Sequence, residues 1–123
     1  MPESPDRPAL ISLRHQFEAA EGTFLLIIRT ELRWDWPTLR QMTSTMFHAI
    51  EELKGESRLD RWIAEGFWFC DTWVPAWTSH PDFPQQDSQD RAGALELIHD
   101  LAFALMTGQS PYQDDTLRVR AVG

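Results

Sequence analysis

A single cysteine, Cys70, among 123 residues rules out any disulfide within the chain, a pattern that suits a reducing compartment. Apolar runs are short, and "FLLII", Phe24 to Ile28, falls far below the length that spans a bilayer. The opening "MPESPDRPAL" has no basic segment leading into an apolar one, so no secretory leader is expected. A glycine-rich phosphate loop, a nucleophile elbow and paired cysteines at metal-binding spacing are all missing. These absences predict a soluble cytoplasmic protein without a membrane segment or a cofactor, and they disfavour an enzyme.

Basic residues are scarce in one half only. From Met1 to Arg61 ten acidic residues face eight basic ones, whereas from Trp62 to Leu117 nine acidic residues are offset by Arg91 alone. That second segment alone therefore carries a charge equal to the net −8 of the whole chain. A surface of that sign repels phosphate, so direct binding to nucleic acid is not expected, and it attracts basic partners. It also serves solubility.

What is present is helical spacing. Leu10, Leu13, Phe17, Ala20, Phe24 and Ile27 recur at steps of three and four, which predicts one long helix from Pro8 to about Arg33. The alternative is a break at Gly22 followed by "TFLLIIRTEL" as a strand, favoured by its β-branched residues. Asp35 and Pro37 mark the start of a second helix, with Leu39, Met42, Met46, Ile50 and Leu53 on one face and Gly55 as its stop. "SRLD" opens a third, from about Arg58 to Val74, which Pro75 should end. After a proline-rich loop from His80 to Gln89, Asp87 or Ser88 caps a fourth carrying Leu95, Ile98, Ala102 and Leu105 up to Gly108. The expected fold is all-α: one domain, an antiparallel four-helix bundle-like core over residues 8–108, with 1–7 and 111–123 loosely held.

The third helix holds "FWFCDTWVPAW", five aromatic residues in eleven positions. Leu59, Trp62, Gly66, Phe69 and Trp73 share a face, which reads as core, widened by Ile63, Cys70 and Val74. Cys70 is then a buried, inert thiol. Trp68 lies off that face among Arg61, Glu65, Asp71 and Thr72, so it is either covered by the following loop or offered to a partner. Trp77 and Phe83, beyond Pro75, are further candidates for an exposed apolar patch.

Two reactive constellations are weak. "ELIH" places Glu96 three residues before His99, the step found in di-iron carboxylate bundles, yet His15 and His48 have Ser12 and Thr45 at that position. Only a mixed metal site of His99 with Glu18, Glu21 or Glu31 survives. His80 and Asp82 in "SHPDF" are spaced to pair as a general base, although a turn closed by Asp82 on local backbone is the simpler account. The reading that remains is stoichiometric binding to another protein with a basic surface, as an accessory, inhibitor or immunity-type factor. Its contact surface would be Trp68, Asp71, Trp77, Asp82, Phe83 and Asp87. The alternatives are a metal- or small-ligand-binding bundle using Glu96 and His99, and a homodimer that buries Trp68.

Overall fold

The computed structural model describes residues 7–84 and 88–123. Six helices and no strand occur among them: α1 (Pro8–Phe17), α2 (Phe24–Thr30), α3 (Trp36–Glu52), α4 (Arg61–Thr78), α5 (Ser88–Thr107) and α6 (Thr116–Val122). The all-α expectation holds. Helices α1, α5 and α6 pack on α3, α4 packs on α5, and α2 bridges α1 and α3. Leu13, Phe24, Ile28, Met42, Met46, Phe67, Ile98 and Leu101 fill one continuous core. No described helix is long and apolar enough to cross a membrane.

The first long helix is in fact two. Phe17 is the last residue of α1, and the Ala20 N–H then donates to the His15 carbonyl while the Ala19 N–H donates to that of Gln16, at 3.3 and 3.1 Å. This paired closure puts Ala19 in the left-handed region at φ 53°, the position glycine usually takes. Gly22, at φ 82°, turns the chain again, and the Thr23 hydroxyl donates to the Ala20 carbonyl at 2.6 Å before α2 begins. Neither the continuous helix nor the strand alternative is correct. The apolar spacing stays in phase across the break because both halves bury the same side against α3, so periodicity alone does not reveal the turn.

Helix α3 follows its local signals. The Asp35 carboxylate accepts from the Thr38 N–H at 3.1 Å and from its hydroxyl at 2.8 Å, and Pro37 sits in the first turn. Those two bonds, with Arg33 beside them, hold the Asp35 carboxyl below the usual carboxylate range. Helix α4 departs from its signals at both ends. It starts at Arg61 and runs through Pro75 to Thr78. A proline inside a helix removes one backbone donor. Here Val74 and Thr78, on either side of Pro75, are buried in the core, and the Thr78 hydroxyl donates to the Val74 carbonyl at 2.8 Å. Burial on both sides holds the helix past its breaker.

The core stripe of α4 is also rotated from the expected one. Its buried residues are Ile63, Phe67, Cys70, Val74 and Thr78, whereas Trp62, Phe69 and Trp73 are half-buried flanks that pack against the core edge. Gly66 lies on one flank because Phe17 needs its space: a Cβ there would stand 2.0 Å from the Phe17 ring. Phe17 thereby meets Phe67 and Trp62 edge-on, with centroids 5.5 and 6.5 Å apart.

Two other corrections concern the later segments. Phe83 is only 2% exposed, and the Arg91 guanidinium, on a residue 5% exposed, lies between the Phe83 and Trp34 rings at 5.2 and 5.0 Å. Arg91 donates to the Pro84 carbonyl at 2.9 Å, which ties the residues after α4 to α5. The chain beyond Pro111, expected to be loose, forms α6, whose Leu117 and Ala121 are buried. Arg120 fixes it by donating to Glu96, to the Tyr112 oxygen and to the Gly93 carbonyl, while the Tyr112 hydroxyl donates to Asp100. Residues 1–6, expected to be loose, and the Asp87 cap lie outside the described residues.

Replacing Ala19 with glycine relieves the left-handed strain, and we expect a gain of about 1 kcal/mol in urea unfolding. Gly66→Ala runs the other way. It gains about 1 kcal/mol of helix propensity but overpacks Phe17 by about 1–3 kcal/mol, so the unfolding midpoint should fall. A rise in that midpoint would show that Phe17 relaxes freely.

Candidate interaction surface

With its central stripe buried, α4 presents two flanks. One carries an aromatic ladder toward α2: Phe69, Trp73 and Trp77 follow at steps of four and stack with centroids 5.1 and 5.6 Å apart. At its far end the Trp77 indole N–H donates to the Ile28 carbonyl at 2.6 Å. Trp77 is therefore a half-buried tie between α4 and α2 rather than part of an exposed patch.

The other flank leans toward α5, and Trp68 stands on it, 61% exposed. None of the described loop covers it. Its own position is fixed by the helix: the Thr72 hydroxyl, one turn on, donates to the Trp68 carbonyl at 2.9 Å. Opposite, α5 offers Phe103 and Met106, 45% and 51% exposed. The register between the two helices is set by Asp71 and His99, whose Nδ1 lies 3.0 and 3.1 Å from the two carboxylate oxygens. One turn back along α4 from Asp71 is Trp68, and one and two turns on along α5 from His99 are Phe103 and Met106. Three large apolar side chains thus share one solvent-facing strip.

The other residues singled out from the sequence are scattered. Phe83 belongs to the core and cannot serve a surface. Asp82 is exposed in the turn after α4, where its backbone N–H donates to His80 Nδ1 at 3.1 Å. The ring accepts from the backbone there, the reverse of the expected aspartate-closed turn. Asp87 lies outside the described residues. Glu96 and His99 point to different neighbours, Glu96 to Arg120 and His99 to Asp71. Among the described residues no three histidine, cysteine or acidic side chains are grouped to hold a metal. Phe103 and Met106 were not among the sequence candidates. The signal was available, since both fall outside the stripe of Leu95, Ile98, Ala102 and Leu105.

Cys70 lies directly behind this surface, fully buried. Burial, and to a lesser degree the Asp71 carboxylate, push its thiol from 9.0 up to about 12. The unfolded thiol ionises first, so this group leaves stability flat below about pH 9. Above that it subtracts about 1.4 kcal/mol per pH unit until the folded thiol also ionises. A disulfide exchange reagent at pH 8 should label Cys70 only in urea concentrations that unfold the chain. Stoichiometric labelling without urea would place the thiol at the surface.

Comparison of the chain with protein-family models, with curated proteins and with solved structures finds no match in any of the three.

Proposed function

We propose that the chain acts by stoichiometric binding to another protein through the strip of Trp68, Phe103 and Met106. The observation that carries this reading is the exposure of Trp68, at 61%, on a helix pair whose Asp71–His99 contact puts Phe103 and Met106, also exposed, along the same seam. Grouped exposure of this kind marks contact surfaces, and tryptophan is enriched among residues that dominate binding energy.

Electrostatics supports the sign of the partner. Arg91 is the sole basic residue between Trp62 and Leu117, and it is buried. The surface of that segment therefore carries acidic groups with no exposed cation of its own to screen them. Asp71 lies one turn on from Trp68 along α4. A basic partner would be steered by these groups, and removal of apolar surface from water would supply most of the affinity.

Immobilised protein, challenged with lysate of the source cells, should retain a partner at one-to-one stoichiometry in low salt and lose part of it in high salt. Trp68→Ala combined with Asp71→Asn should weaken that binding by about 30-fold or more. Retention indifferent to the double substitution would remove this surface from consideration. A doubled mass in solution that Trp68→Glu reduces to that of one chain would identify the partner as a second copy.

A further inference from the structure

The flank of α4 facing away from Trp68 borders a cavity of about 490 Å³, between α1, the start of α2 and α4. Its size falls in the range of about 300–1,000 Å³ typical of small-molecule sites. Phe17, Trp62 and Phe69 wall it, and Gly66, which adds no side chain of its own, lets the Phe17 ring close against α4. Four charged side chains complete the lining: Arg14, Arg29, Glu18 and Glu65.

The two arginines are held by aromatic faces. The Arg14 guanidinium stands 4.5 Å from the centroid of Trp62 and that of Arg29 5.7 Å from the centroid of Trp73. A guanidinium can lie against a ring face and still offer its N–H groups as a fork to a carboxylate, and Arg29 is the arginine placed to do so. Among the described residues, Arg29, Glu18 and Glu65 take part in no ion pair.

The charge pattern restricts what fits. An apolar ligand would strip water from charged groups without replacing it. A plain anion would meet the carboxylates of Glu18 and Glu65, and a plain cation would meet the guanidinium of Arg29. A molecule with one charge of each sign, close together and attached to a ring, answers all of the lining. We propose that this cavity binds a free α-amino acid with an aromatic side chain. Its ring packs among Phe17, Trp62 and Phe69, its carboxylate is held by Arg29, and its ammonium group by Glu18 and Glu65. The site is separate from the Trp68 strip and does not depend on it.

The test is a titration of the full-length ¹⁵N-labelled chain with L-phenylalanine, 2-phenylethylamine, which lacks the carboxylate, and 3-phenylpropionate, which lacks the ammonium group. L-phenylalanine should shift the Ala19 and Gly66 amide signals saturably, and each truncated probe should bind at least about 10-fold more weakly. Arg29→Gln should cost L-phenylalanine about 10-fold while leaving 2-phenylethylamine unchanged, and Glu65→Gln should spare 3-phenylpropionate in the same way. Trp68→Ala should change none of these values. The proposal is overturned if the three probes bind alike, if Arg29→Gln weakens all of them equally, or if L-phenylalanine gives no saturable shift up to about 10 mM.

Discussion

A buried cation constrains this fold more than any other single group. Arg91 cannot sit in an apolar interior unless its donors are met, because an unpaired buried charge costs several kcal/mol. Among the described residues, the Thr78 and Pro84 carbonyls accept from it at 3.4 and 2.9 Å, and the Trp34 and Phe83 rings lie against the guanidinium. Trp34 in turn packs edge-on against Phe24 and Trp36. One side chain therefore joins the end of α4, the loop after it, the start of α5 and the link between α2 and α3. It also withdraws from the surface the only arginine or lysine between Trp62 and Leu117.

Helix α4 is amphipathic in three directions rather than two. Its centre is core, one flank stacks indoles toward α2, and the other meets α5 through Asp71 and His99. Helix packing of this kind normally covers a single stripe and leaves polar residues elsewhere. The aromatic residues left on the two flanks are what give the protein both an exposed apolar strip and a walled cavity. The positions of both follow from the rotation of one helix about its axis.

Much of this was legible in the chain itself, wherever a local signal and tertiary packing agree. Asp35, Pro37 and Gly55 bound α3 as their chemistry requires, and Trp68 stands out because a large apolar group among charged neighbours has no place on a core stripe. Legibility fails where packing overrides a signal. Pro75 should end α4, yet Val74 and Thr78 are worth more buried than the missing backbone bond costs. The break between α1 and α2 preserves the apolar phase, and it places an alanine where glycine is the usual marker. Helix α6 has only Leu117 and Ala121 to announce it, and the Arg120 network that fastens it is a tertiary feature. Phe83 looked exposed because its local sequence is polar, but its burial depends on Arg91, eight residues on. The aromatic stripe of α4 was read about a third of a turn off, since adjacent aromatic residues fit two neighbouring stripes equally well.

The uneven treatment of the six tryptophans has an optical consequence. Trp34, Trp36, Trp62, Trp73 and Trp77 lie against the core, and only Trp68 is counted among the exposed large side chains. Indole emission shifts to longer wavelength in water, and a dissolved quencher such as iodide reaches an exposed ring first. The longest-wavelength emission of the folded protein thus comes chiefly from one residue on the α4–α5 face, and the bluer part from five half-buried indoles. Covering that face moves the emission to the blue and loss of the fold moves it to the red, so the two events differ in sign in the unmodified protein, with no label attached.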